Sequence, residues 1–295
     1  MNQAWTLHPS EALFKVAERT AKRAGSAGRR RVVLIAGLAM LGVAIICILG
    51  APLLTSYNPI KLGSPLLAPP LTNGHLLGTD QYGRDIFARI MYGGRIDLAI
   101  AFGATSVTLV FGTIVGLVAG YFGGWVDAVL MRIVDLFFAF PFLVLIIAII
   151  AMLGPSIRNM FIAIWVTSWV SYARIMRAQT LVAKKQQYVL AARALGYSRL
   201  RVMFRHILPN TASSVIVFSM VDAVGNIILA SALGFLGLGA QPPSPEWGTM
   251  ISDGQNYILS SWWIATLPGV AIVFVGVAFS LIGDGLADIL RPGDR

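Results

Sequence analysis

At 295 residues the chain has length enough for two soluble domains, but 57% apolar and 12% charged residues, with a mean hydropathy of +0.75, place it in the membrane class instead. A net charge of +10 invites comparison with nucleic-acid binders, yet most of the cations flank apolar runs rather than cover a soluble face, which excludes nucleic acid as a partner. The single cysteine, Cys47, excludes an internal disulfide framework and a cysteine-based metal site.

A spanning helix needs about 20 mainly apolar residues, and six runs offer them: 32–54, 96–121, 129–153, 157–175, 211–236 and 262–286. Backbone groups in lipid must be satisfied within the chain, and runs this long are helices rather than barrel strands. The expected fold is all-α, a polytopic membrane protein with six transmembrane helices and the lipid bilayer as its medium.

The first segment, 1–31, is basic, with Lys22, Arg23, Arg29, Arg30 and Arg31 ahead of the first run, and so belongs in the cytoplasm. Run 32–54 is too long for a cleaved signal and reads as an uncleaved anchor, with Cys47 as a small packing residue. The connection 55–95 then lies outside. Within it Asp85 is placed to cap a short helix, Ile86 with Ile90 and Phe87 with Met91 give an apolar face, and Gly93 with Gly94 end it. This predicts a helix along the membrane surface, against the alternative of an ordinary loop with one helical turn.

In the core 96–287, Gly112, Gly116 and Gly120 recur every four residues and leave a face that another helix can approach closely. Pro141 and Pro268 are expected to kink the third and sixth spans, and Arg132 and Asp135, three apart, to pair along one face. The cytoplasmic loop 176–210 follows. Between Arg174 and Arg205 there are eight cations and no Asp or Glu, so the loop cannot neutralise itself and calls for a user outside it. Ala191 and Ala192 leave a thin helix face, Gly196 permits a sharp turn, Ser198 can cap the next short helix, and Pro209 stands where a new helix can begin.

In the fifth run Asp222 and Asn226 stand one turn apart, and either line a translocation path or bond a neighbouring helix. The outer loop 240–248, stiffened by Pro242, Pro243 and Pro245, either receives a soluble partner through Gln241, Pro242, Pro243 and Trp247 or caps the bundle. Tryptophans 125, 165, 169, 247, 262 and 263 read mostly as interfacial anchors. The tail 288–295, with Arg291 and Arg295, returns to the cytoplasm.

No GxxxxGK[ST] or HExxH segment is present, and His8, His75 and His206 are scattered, so neither a nucleotide cradle nor a catalytic metal is expected. Gly237 and Gly239 form a GxG that follows an apolar helix rather than a strand and read as a helix ending.

The segment 188–210 resembles the cytoplasmic EAA loop of binding-protein-dependent ABC transporter permeases, with Ala191, Ala192, Gly196, Ile207, Leu208 and Pro209 at that motif's spacing. Three further blocks, LGTDQYGRD (77–85), YFGGWVDAVLMRIVD (121–135) and LGFLGLGAQPPSPEWG (233–248), resemble the C-type permease of dipeptide, oligopeptide and nickel importers. Together they cover most of the chain from Leu77 onward.

The resemblance implies a type I ABC importer permease-like fold in a bacterial or archaeal inner membrane, with both termini cytoplasmic. It implies four kinds of neighbour: a homologous second permease, one or two ATP-binding subunits, an external substrate-binding protein, and lipid. ATP and Mg then belong to the partners, this chain binding no cofactor and catalysing no reaction. Coupling would run through Tyr188, Ala191, Ala192, Arg193, Gly196, Tyr197, Ile207, Leu208 and Pro209. Short peptides are the implied cargo, with nickel chelates or another small solute as the alternative. Two positions depart from the pattern: Leu190 replaces the motif's acidic residue, and Ala230 stands where many relatives carry Glu. A rival of another class, a secondary transporter with Asp222 and Asp135 as ion carriers, leaves the basic loop without a role and lacks an internal repeat. A structural or sensory scaffold is the third reading.

Overall fold

A computed structural model describes residues 31–290. The expectations for Lys22, Arg23, Arg29, Arg30 and His8, and for Arg291 and Arg295, therefore lie outside the described residues.

The described residues form helices, with isolated bridges at Thr72–His75 and Thr79–Asp85 in the outer connection. Helix α1 spans Arg31–Leu49, followed by the single turn α2, Ala51–Leu54. After the outer connection comes α3, Ile86–Phe122, and then α4, Gly124–Phe138, and α5, Phe142–Leu153. Helix α6 covers Ile157–Ala183 and the short α7 Gln187–Ala194. A turn leads to α8, Arg199–Arg201, a π-helical stretch Val202–Ile207, and α9, Leu208–Phe235. Helix α10, Trp247–Gly254, and α11, Trp263–Ile289, complete the order.

All six apolar runs fall in helices. By length and composition α1, α3, the continuous Arg199–Phe235 helix and α11 suffice to cross a membrane, and α4 with α5 makes a fifth if the bent pair is one span. The remaining run, 157–175, lies in α6, which is long enough but carries Arg158, Arg174 and Arg177 and is wrapped by protein, packing on α3, α9, α5 and α4.

Asp85 caps α3 as expected, accepting from the Ala88 N–H at 2.7 Å. The expected separate surface helix, however, is not there: α3 runs unbroken through Gly93 and Gly94 for 37 residues. These glycines mark close approach rather than an end. A Cβ on Gly94 would sit 2.6 Å from Ile48 and 2.9 Å from Trp247, and one on Gly93 3.4 Å from Pro245. At 1.5 Å per residue α3 is about 55 Å long, so it outruns the roughly 30 Å hydrocarbon layer, and the apolar face at Ile86 and Ile90 is buried in the protein core.

The Gly112, Gly116, Gly120 face meets α6, and α3 with α6 is the most extensive packing in the molecule. A Cβ there would lie 2.6 Å from Tyr172, 2.9 Å from Met176 and 2.7 Å from Thr180 respectively, so nothing larger than hydrogen fits without separating the helices. Pro141 does more than kink: α4 and α5 meet at 85° with Pro141 as the N-cap of α5. Helix α11 continues through Pro268.

Candidate functional site

Helix α7 and the helix that follows sit at the end of α3, α6 and α9 because one face is apolar. Val189, Ala192, Val202, Met203 and Ile207 are buried against Leu117 and Met176. Gly196 closes α7 with φ +78, its N–H on the Arg193 carbonyl (2.9 Å) and the Tyr197 N–H on Ala192 (3.2 Å), a Schellman ending that requires a left-handed residue. Ser198 accepts from the Arg201 N–H. Pro209 does not start a new helix: the helix is continuous from Arg199, and its path is adjusted by the π-helical turn. Side chains serve the carbonyls around that turn, Asn210 Nδ2 donating to His206 and Thr211 Oγ1 to Ile207.

The predicted coupling residues divide by exposure. Ala192 and Ile207 anchor, Tyr197 and Leu208 are half-buried, and Tyr188, Ala191, Arg193, Gly196 and Pro209 face out. Sequence reading missed the partners of this exposed set, namely Leu190, Leu195, Leu200 and Phe204, with Leu195 72% and Leu200 64% exposed. The eight cations are also less free than expected. Arg177 is bidentate on Asp127, Arg174 reaches Asp135 at 2.6 Å, and Lys184 donates to the Gly120 carbonyl. The Arg132–Asp135 pairing is thus replaced by a tie from α4 to α6. Arg193 lies over Tyr121 and Arg201 over Tyr197, which itself stacks on His206.

Mid-molecule, Asp222 is held by the Tyr172 hydroxyl (2.9 Å) and Asn226 Nδ2 (3.1 Å), and Asn226 also donates to Thr105 Oγ1 (3.0 Å). Three helices, α9, α6 and α3, are joined at that point. Asn226 is buried in the joint, whereas Asp222 also borders a cleft of about 280 Å³ beside the α4–α5 break. The two readings of this pair therefore separate, Asn226 as a bond between helices and Asp222 as both bond and cleft wall.

On the expected outer face, Gln241, Pro242 and Pro243 are exposed, and Gln241 ties back to the Gly237 and Gly239 carbonyls. Trp247 corrects the prediction of a partner contact. It is 1% exposed, its indole donates to the Ile90 carbonyl (3.0 Å), and its backbone N–H to Asp97, so no partner can reach it. Trp169 and Trp263 are likewise buried rather than interfacial, while Trp125 and Trp262 are exposed. Glu246 caps α10 through the Gly248 and Thr249 N–H groups, and burial pushes its carboxyl up. His75 is no surface residue: it is buried on Asp85 at 2.8 Å under Tyr57. Beside it Arg84 bonds Asp80 (2.6 Å) and Asp253 (3.2 Å), and Arg89 approaches the same two acids. The i,i+4 spacing of Asp80 and Arg84 was a legible signal for the first of these contacts; Asp253, from α10, was not.

Residues 112–294 match the family described as binding-protein-dependent transport system inner membrane component. The chain belongs to this family. It is 42% identical to the dipeptide transport system permease protein DppC of Alkalihalophilus pseudofirmus over 90% of this chain and 87% of that one. It is 43% identical to the glutathione transport system permease protein GsiD of Pectobacterium atrosepticum over 75% and 73%. The probable D,D-dipeptide transport system permease protein DdpC of Escherichia coli is 40% identical over 82% and 81%. Among solved structures, an inward-facing MetNI methionine ABC transporter chain aligns with a TM-score of 0.56 at 17% identity, covering 69% of this chain and 96% of that one, which shows the shared fold.

The family match takes in the α3–α6 seam, the α7–α8 segment, the Asp222 cleft and the loop before α10 of this permease. Its two departures have physical settings. Leu190 is half-exposed and adds an apolar side chain to the exposed set where the motif carries an acid. Ala230 is fully buried in an apolar cluster with Ile100 and Ile164, where an unpaired carboxylate would be costly.

Proposed function

We propose that this permease forms half of the translocation path of an ATP-driven importer of short peptides, with a homologous permease supplying the other half. One or two ATP-binding subunits dock on the coupling element in 176–210, hold the ATP and Mg, and do all the hydrolysis; this chain binds no cofactor. A substrate-binding protein delivers cargo at the outer face, on 55–95 and the exposed Gln241, Pro242 and Pro243. Both termini, 1–31 and 288–295, lie in the cytoplasm.

The observation that carries this reading is the ridge of Tyr188, Leu190, Leu195, Leu200 and Phe204, exposed beside Arg193, Arg199 and Arg205. The opposite face of the same element is packed into α3, α6 and α9. Apolar side chains this exposed at the aqueous end of a bundle call for a protein partner. Their rigid seating means that a partner moving the ridge moves the spans. Peptide cargo is supported by relatives whose names include dipeptide, D,D-dipeptide and glutathione transport.

The test is the ATPase rate of the assembled complex on adding binding protein loaded with di-, tri- or longer peptides, or with a nickel chelate. Stimulation by a peptide class is expected. Stimulation by the nickel chelate alone would overturn the cargo, and no stimulation by any loaded protein would overturn the coupling.

A further inference from the structure

The cleft beside the α4–α5 break combines four features that a lipid-facing or purely structural hollow does not need. First, Asp222 stands near the middle of α9 on its wall, and no Lys, Arg or His among the described residues pairs with it. Its donors, Tyr172 and Asn226, are neutral. They orient the carboxylate without neutralising it, and a carboxylate at mid-span is costly until it meets a cation. Second, Ser168 on α6 lines the same cleft, is 6% exposed, and its hydroxyl has no hydrogen-bond partner. A buried hydroxyl left open in this way calls for a partner from outside the chain.

Third, Phe137, Phe138, Phe140 and Phe142 line the hollow. Ring faces attract cations, and Phe138 already carries one, the Arg174 guanidinium at 3.8 Å from its centroid. That guanidinium is itself taken by Asp135. Fourth, the break brings the carboxyl end of α4 and the amino end of α5 to the same place. Their opposite dipole charges largely offset each other, so Asp222 sets the sign of the site. The volume, about 280 Å³, suits one end of a small solute rather than a whole oligopeptide.

We propose that this cleft is an alkylammonium subsite on the translocation path, in which Asp222 receives the protonated amino group of a peptide in transit, with Ser168 and the phenylalanine rings completing its surroundings. The proposal rests on the peptide-import reading above for the identity of the cargo, but not for the chemistry of the site.

The experiment uses the complete complex with Cys47→Ala and Ser171→Cys in this chain, Ser171 lining the same cleft and being only half-buried, and reads the rate at which a water-soluble thiol reagent modifies the new cysteine. A free-amine dipeptide such as glycylglycine should slow modification at least about tenfold. Its N-acetylated form and potassium chloride at the same concentration should not. Asp222→Asn in the same background should remove the protection, and an unchanged Tm of the purified complex should report that the variant is folded. Ethylammonium should protect as well. If it does so while only the binding protein loaded with a nickel chelate stimulates the ATPase, the subsite stands and the peptide cargo falls. Equal protection by the acetylated peptide, absence of protection by ethylammonium and dipeptide alike, or protection that survives Asp222→Asn overturns the proposal.

Discussion

At the residue scale, the most constrained positions are glycines, for two different reasons. Gly196 has open space around its α-carbon but φ +78, so the backbone and not crowding selects it. Gly196→Val should strain the turn by about 1–2 kcal/mol, undo the Schellman ending and displace Leu195. The expected outcome is loss of ATPase stimulation by loaded binding protein with normal membrane insertion, whereas Gly196→Asn, which tolerates this conformation, retains most of it. Equal behaviour of the two variants would refute the backbone argument. Gly116 is the reverse case, with an ordinary backbone against α6. Gly116→Leu should overpack the α3–α6 seam, lowering the Tm of the detergent-solubilised permease through a loss of about 1–3 kcal/mol. An unchanged melting curve would mean that the seam is looser than its geometry implies.

At the scale of elements, the proposed coupling surface is a set of exposed apolar side chains on α7 and the helix after it, and the outer connection is a clamp. Leu195→Asp places a charge where an apolar contact is expected. Co-purification of the ATP-binding subunit should then fall more than about tenfold, without any change in the Tm of this chain alone. In the clamp, Arg84 is 5% exposed between Asp80 and Asp253. Arg84→Ala leaves Asp80 buried beside only the more distant Arg89, at a cost of about 3–5 kcal/mol, so limited proteolysis should cut within 55–85. Resistance equal to the parent would show that Arg89 suffices.

Much at this scale was legible beforehand. The apolar runs, the Asp85 cap, the glycine seam and the break at Pro141 each follow from local chemistry. What was not legible depended on packing partners distant in sequence. Gly93 and Gly94 read as a helix end because nothing local announces Ile48 and Trp247 against them. Trp247 read as exposed because its contacts, Ile90 and Asp97, lie on α3. Asp135 read as the partner of Arg132 because Arg174 is on another helix. The coupling motif was visible as spacing, but the ridge of Leu195, Leu200 and Phe204 emerged only once the buried face of the element was known.

At the scale of the whole molecule, the architecture places an exposed apolar set, the proposed docking surface, at one end of a glycine-locked helix pair. A cleft with Asp222 on its wall lies beside the α4–α5 break, and a polar clamp at the far end. Their sidedness is testable by labelling single cysteines in the Cys47→Ala background: Leu200→Cys should react only from the cytoplasm and Pro242→Cys only from outside. Reaction of both from one side would break the topology on which the partner assignments depend. The most direct test of the central claim is uptake of a labelled dipeptide by proteoliposomes holding this chain with its second permease, ATP-binding subunits and binding protein. The account predicts uptake that requires ATP, persists without a proton gradient, and is abolished by Gly196→Val. Uptake that continues without ATP hydrolysis, or that the Gly196→Val complex performs normally, would contradict it.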